Sequence, residues 1–164
     1  MAAQFLMRRN RSANETDRVR AHTAPSFLEQ IDEEIEERVQ FYATQPRTVI
    51  TARIEELERE WDVERVLETN ASALALTGLT LGLTVNKKWF LLTGGVLAFL
   101  FQHAVHGWCP PMPLLRRAGI RTRSEIELER FALKALRGDF QDIPDKTEAN
   151  AMSRARTTLL AVSI

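Results

Sequence analysis

Two stretches of this chain carry no charge, and they limit the folds open to it more than any other feature. From Thr69 to Asn86 there is no Asp, Glu, Lys or Arg, and from Trp89 to Leu115 there is again none; only Lys87 and Lys88 stand between them. A helix needs about 20 mostly apolar residues to cross a hydrocarbon core of about 30 Å, so each stretch has close to the required length. Joined by Asn-Lys-Lys, they are expected to form a tight two-helix transmembrane hairpin over residues 69–108. The hydrophobic share of the whole chain, 45%, is ordinary for a soluble protein. The departure from the ordinary lies in how the apolar residues are gathered.

Trp89 and Trp108 bracket the second stretch nineteen residues apart. At about 1.5 Å per residue this is about 28 Å, close to one bilayer core. Tryptophan prefers the headgroup interface, where its ring lies in apolar surroundings and its N–H stays wet, so the pair reads as the two belts of one spanning helix. A buried soluble hairpin with two core tryptophans is the alternative, but soluble helices normally show a polar face.

The first span, TNASALALTGLTLGLTV, places Thr77, Thr80 and Thr84 on one face with Ala73, and Gly78 and Gly82 beside them. Leu76, Leu79 and Leu83 lie elsewhere. In the second span Gly95, Ala98, Gln102 and His106 share a stripe. Small residues let backbones approach closely, and threonine hydroxyls bond back to the preceding turn or across to a neighbour. Gly78, Gly82, Gly95 and Ala98 are therefore the expected helix-packing residues, within the hairpin and between copies in a homo-oligomer.

Arg53, Arg59 and Arg65 precede the hairpin and Arg116, Arg117, Arg121 and Arg123 follow it, against two lysines in the loop. Basic residues stay on the cytoplasmic side, which predicts a multi-pass protein with both termini cytoplasmic. The N-terminus lacks the apolar run of a signal peptide, and no cleaved leader is expected. Residues 1–24, with arginines at 8, 9, 11, 18 and 20, read as a flexible basic arm. The 22 basic and 22 acidic residues cancel, so nucleic acid is not an expected partner.

Residues 25–68 read as an amphipathic helical pair. Leu28, Ile31, Ile35, Val39 and Tyr42 form the stripe of one helix, closed by Gln45-Pro46. Ile50, Ile54, Leu57 and Trp61 form the stripe of the next, which is expected to run on toward the first span. The acidic run 32–37 suits a solvated face. Residues 109–140 hold an exit segment and a membrane-proximal helix, opened by the capping box Thr122-Arg-Ser-Glu125 and stopped at Gly138. Residues 141–164 are a linker and tail, ending in a short helix or none. The cytoplasmic helices offer a surface for a protein partner. All-α architecture follows.

The exit itself, HAVHGWCPPMP, gathers His103, His106 and the single cysteine, Cys109. Each three-residue step turns a ligand about 60° round a helix, and a zinc site needs three or four converging ligands. No fourth appears nearby, so no metal or other cofactor is assigned, and these three remain the only candidates. Pro110 and Pro111 remove backbone donors and are expected to end the helix after Trp108. Cys109 then lies at the interface, where Arg116 and Arg117 could lower its pKa if they fold back.

GWCPPMPLLRRAGIRT after a two-span hairpin resembles the Cys-Pro signature that closes the YgaP-like inner-membrane domain, a bacterial family of small two-helix proteins of largely unknown function. The resemblance covers about residues 68–122, with Met112 and Leu115 departing from the family pattern and Ala118-Gly119 standing for its Leu-Gly. It implies a bacterial inner-membrane location. In one arrangement the family's hairpin anchors a rhodanese-type sulfurtransferase and mediates its dimerisation. Too few residues lie outside this hairpin for a rhodanese, and Cys109-Pro-Pro-Met-Pro-Leu cannot supply the free N–H groups of that enzyme's anion-cradling loop. P-loop, dinucleotide, H-E-x-x-H and G-x-S-x-G motifs are missing from the sequence as well. The expectation is a non-enzymatic oligomerising anchor or adaptor in the lipid bilayer. The alternative is a sulfur, redox or metal-linked accessory membrane protein using Cys109; a small channel or carrier would have only Gln102 and the two histidines as sizeable polar groups in its spans.

Overall fold

The computed structural model describes residues 17–141, 143 and 151–163. Among them every regular element is helical: α1 (Arg18–Ala21), α2 (Pro25–Ala43), α3 (Arg47–Arg59), α4 (Val63–Thr84), a 3-10 turn (Lys87–Trp89), α5 (Phe90–His106), α6 (Met112–Arg117), α7 (Arg123–Arg137) and α8 (Ala151–Ser163). The all-α expectation holds for these residues.

The boundaries have local causes. Pro46, extended at ψ 151°, stands as the N-cap of α3. The expected run of that helix into the first span does not occur: Glu60 is extended at ψ 137°, and the Asp62 carboxylate accepts from the Arg65 backbone N–H at 2.8 Å to start α4 afresh. Trp61 thereby leaves the apolar stripe and is exposed, with the Arg65 guanidinium 4.4 Å above its ring. Asn86 makes the hairpin turn by accepting from the Lys88 N–H at 2.9 Å.

The chain divides into two compact units, one of residues 1–32 and 61–125, the other of residues 33–60 and 126–164. In the first, α4 and α5 fold back on each other through the Lys87–Trp89 turn. Its core is a cluster of Val19, Val63, Leu67, Cys109 and Met112, joined by the partly buried Leu100, Trp108, Leu115 and Ile120. Beyond that base the hairpin buries little. Leu76, Leu83, Leu91 and Phe101 are 64–79% exposed.

The basic arm is only partly within view, since residues 1–16 lie outside the described residues. Its last part is not a free arm. The Asp17 carboxylate caps α1 by accepting from the Val19 and Arg20 backbone N–H groups, and both of those residues are buried. Val19 brings an apolar side chain to the core, and Arg20 reaches two carboxylates: Glu125 at 2.6 Å and Asp32 at 3.0 Å. An arginine so placed is held by its partners rather than solvated.

In the second unit Ile50, Ile54 and Leu57 of α3 meet Ile126 and Leu133 of α7, with Tyr42 alongside. Ile50, Ile54 and Leu57 belong to the stripe read from the sequence, which Trp61 leaves. Glu129 and Lys134, which the apolar pattern of α7 does not announce, are buried among them. Arg53 donates to Glu129 from Nε at 3.1 Å and Nη2 at 3.0 Å, and Arg38 donates from Nε at 3.1 Å. Gly138, at φ +93°, ends α7 and returns its N–H to the Lys134 and Ala135 carbonyls. Most of the expected linker, residues 142 and 144–150, lies outside the described residues. Beyond it α8 forms, and its Val162 carbonyl accepts from Lys134 Nζ at 3.1 Å.

Candidate functional site

The hairpin seam is built from absent side chains. A Cβ placed on Gly78 would come within 2.6 Å of Thr93 Oγ1 and 3.0 Å of Thr93 N; one on Gly82 would meet the Phe90 ring at 2.7 Å. Only glycine permits this approach. Thr93, which the sequence pattern did not single out, spans the seam by donating to the Ala75 carbonyl at 3.1 Å. Thr77, Thr80 and Thr84 bond back to the carbonyls four residues earlier, at 2.7–2.9 Å. Gly95 has nothing within 4 Å of its Cβ position and Ala98 is exposed, so neither belongs to the seam within this chain.

Two helical stretches are long and apolar enough to cross a membrane: the apolar part of α4 and the segment Lys87–His106. Of the most apolar window in the second, 0% is buried within the chain, and 22% in the first. The outer surface of the hairpin carries Leu76, Leu79, Leu83, Leu91, Leu97 and Phe101, with the exposed Thr77, Thr80 and Thr84 among them. Trp89 stands exposed at the turn. Trp108 follows the end of α5 and is partly buried against the base.

The exit differs from the expectation. The helix stops at Gly107, not after Trp108: Gly107 takes φ +72° and gives its N–H to the His103 carbonyl at 2.7 Å, closing the last turn. A side chain there would also collide with Arg18, whose guanidinium donates to the Ala104 carbonyl at 2.7 Å. Pro110 and Pro111 come later, in the turn leading to α6, where the Met112 N–H reaches back to the Cys109 carbonyl at 3.0 Å. They shape the approach to α6 rather than ending α5.

Cys109 is 1% exposed. Burial pushes its thiol above the usual range, outweighing the Met112 backbone N–H. The arginines do not fold back onto it. Arg116 is committed to Glu125 through two bonds of 2.8 and 2.6 Å, to Thr23 Oγ1 at 3.2 Å and to the Ile120 carbonyl at 3.0 Å, and Arg117 is exposed. Burial, which works against a thiolate, therefore prevails. His103 borders a cleft, His106 is exposed, and Cys109 sits in the core. Among the described residues no three His, Cys, Asp or Glu side chains come together in a way that could hold a metal ion.

Glu125 does more than the capping box required of it. It accepts from the Thr122 N–H at 2.8 Å, and its own N–H points to Thr122 Oγ1 at 3.4 Å, which is the reciprocal cap expected. The same carboxylate is clamped by Arg20 and Arg116, all three being nearly inaccessible. The two guanidiniums supply the compensation that a buried carboxylate needs.

Beside this base lies a cleft of about 910 Å³, bordered by Asp17, Arg18, Glu64, Glu68, Ser72, Leu100, His103, Arg123 and Ser124 among others. Asp17 is already engaged. Burial raises its carboxyl, but hydrogen bonds from Ser124, the Arg20 and Val19 backbones and Thr122 outweigh that and hold it below the ordinary carboxylate value. A second, apolar groove of about 300 Å³ is lined by residues such as Leu74, Val96, Phe99 and Cys109.

No family model matches the chain, and no curated protein or solved structure matches it either.

Proposed function

We propose that this chain is a bacterial inner-membrane protein of the YgaP-like transmembrane type, acting as a non-enzymatic, oligomerising anchor or adaptor. The hairpin crosses the bilayer twice, and both termini are cytoplasmic. The helices outside it carry the surface for a protein partner. One observation carries this reading: Gly78 and Gly82 let Thr93 and Phe90 close the hairpin seam, while Leu76, Leu83, Leu91 and Phe101 turn outward, 64–79% exposed. Water penalises such a surface at about 25 cal/mol per Å², and a hydrocarbon core does not.

The exposed Gly95 and Ala98 support association between copies, because small residues that meet nothing within one chain allow a second helix to approach. Alkaline carbonate extraction of membranes tests the anchor: the chain stays in the pellet, and release into the supernatant would end the proposal. For topology, in a Cys109→Ser background an impermeant thiol reagent added to intact cells labels Lys87→Cys and spares Glu36→Cys. The opposite pattern would invert the orientation.

A further inference from the structure

The two helices of the hairpin do not meet equally along their length. At Gly78 the backbone of α4 comes so close to Thr93 that no side chain fits between them, whereas two turns nearer the base, at Ala71, a groove of about 300 Å³ runs between α4 and α5. Leu67, Ala71 and Cys109 line it and are buried; Leu74 and Phe99 line it and are about half exposed, so it opens on the outer surface of the hairpin. From Leu67 to Leu74 it follows α4 for about 10 Å. No charged side chain is among the described residues that line it, and the one amide, that of Asn70, already donates to the Val66 carbonyl at 2.8 Å. A polar ligand would find no partner there and would lose its hydration. Nor does the groove seat a helix from a second copy, since two turns of a helix about 10 Å across fill roughly twice that volume or more.

We infer that this groove holds one acyl chain of a bilayer phospholipid, laid between α4 and α5 with Ala71 and Cys109 beneath it. An occupant that is apolar, unbranched and thin is what the lining and the volume accept. The groove starts at Leu67, beside the last charged residue of α4, Glu68, and runs on into the charge-free stretch that begins at Thr69. For a chain anchored as proposed above, an acyl chain entering from the headgroup layer follows the same course. The bilayer as source rests on that anchor reading; the fit of a hydrocarbon chain to the groove does not. The stabilisation comes from close packing, because hydrocarbon is available everywhere in the bilayer and only an unfilled groove forfeits its contacts.

The experiment uses the full chain in two arms. In the first, the protein is reconstituted in phosphatidylcholine that carries a diazirine near the headgroup end of one acyl chain, irradiated, and the labelled residues are mapped by mass spectrometry. In the second, the detergent-solubilised protein receives a free fatty acid with the same diazirine. The expected result in the lipid arm is labelling at Leu67–Leu74 and Val96–Leu100 about tenfold above that at Phe101, which lies on the same part of α5 and is exposed outside the groove; about ten carbon–carbon contacts sustain such a ratio. Ala71→Phe fills the groove from beneath and removes the excess. Leu74→Trp, at a half-exposed position that tolerates a larger ring, closes the groove from outside and does the same with an unchanged thermal transition. Labelling spread evenly over Leu83, Phe101 and the groove residues overturns the inference, as does an excess that survives both variants. Labelling of the groove confined to the free fatty acid overturns the bilayer source. Carbonate release of the chain would sink the anchor instead, and the fatty-acid arm would then decide whether the groove takes a hydrocarbon chain.

Discussion

Along the hairpin seam Thr93 and Phe90 lie against Gly78 and Gly82, while Leu76, Leu83, Leu91 and Phe101 face outward. In the second unit the arrangement is reversed: Leu57, Ile126 and Leu133 meet inside, and α2 shows Glu33, Glu34 and Glu36 outside. The difference matches two kinds of cohesion, the second of which belongs to the membrane placement proposed above. Helices in water associate because burying an aliphatic side chain contributes about 1.5–3 kcal/mol. Helices in lipid have no such incentive, and close backbone approach with a bridging hydroxyl must serve instead. Between these extremes stands the hairpin base, where Glu125 between Arg20 and Arg116 holds the chain by ion pairs taken out of water.

The largest expected effect concerns that base. Glu125→Ala leaves two buried guanidiniums without their carboxylate and removes the reciprocal cap, so it should destabilise by about 3–5 kcal/mol in thermal unfolding. Glu125→Gln keeps the cap but not the charge. An alanine variant no worse than the glutamine variant would show that the helix start needs no cap. The corresponding change in the second unit, Glu129→Ala, should cost less, because Arg38 and Arg53 are 29% and 19% exposed and can turn to solvent.

A second pair of variants sharpens the contrast within the hairpin. Gly78→Leu should weaken packing of α4 on α5 by about 1–2 kcal/mol, since Thr93 leaves no room for a side chain. Gly95→Leu meets open space and should leave the stability of the single chain unchanged while lowering crosslinking between copies. Equal effects on stability would mean that the seam has been placed on the wrong face.

The exit can be tested in the same way. Gly107→Ala forces a left-handed residue to carry a Cβ, at about 1–2 kcal/mol, and presses on Arg18. Replacing Pro110 and Pro111 together by alanine should cost less, because α5 has already stopped. Greater damage from the proline pair, measured by thermal unfolding, would restore the prolines as the terminators.

The smallest effect is a matter of pH. The folded-state pKa of Asp17 is held below its unfolded value of about 3.9, so its contribution is fully present above that pH and is lost as pH falls through the folded value. Asp17→Ala should cost about 1 kcal/mol at pH 7, as loss of an N-cap does. In acid denaturation the wild-type advantage should shrink below about pH 4; an advantage that persists in strong acid would mean the carboxylate charge is not what holds α1.

The parts legible in the sequence are those whose causes are local. Absence of charge over Thr69–Asn86 marks the apolar part of α4, Thr122 and Glu125 stand three residues apart in a capping box, and Gly138 marks the end of α7. Hidden features depended on partners far along the chain. Arg20 meets Glu125 across 105 residues and Arg38 meets Glu129 across 91, and no periodicity announces such a pair. Thr93 looked like any threonine in an apolar helix until the fold brought Ala75 opposite it. At two boundaries one local signal overrides another. Asp62 could cap a new helix, yet the apolar spacing through Trp61 suggested continuity. Gly107 could close a helix in the left-handed region, yet the prolines after it drew the boundary. The cleft escaped notice because Arg18, Glu64, Glu68, His103 and Arg123 come from four helices, whose placement around one space is a product of the fold.

Spin labels report directly which solvent the outer face of the hairpin meets. Nitroxides placed at Leu76, Leu91 and Leu97 in the membrane-reconstituted protein can be relaxed by oxygen, which concentrates in hydrocarbon, or by a nickel chelate, which stays in water. At Leu76 and Leu97 oxygen should dominate, at Leu91 less so because it follows the Lys87–Trp89 turn, and at Glu36 the nickel chelate should prevail. Nickel accessibility at Leu76 and Leu97 equal to that at Glu36 would contradict the account, since the hairpin would then stand in water.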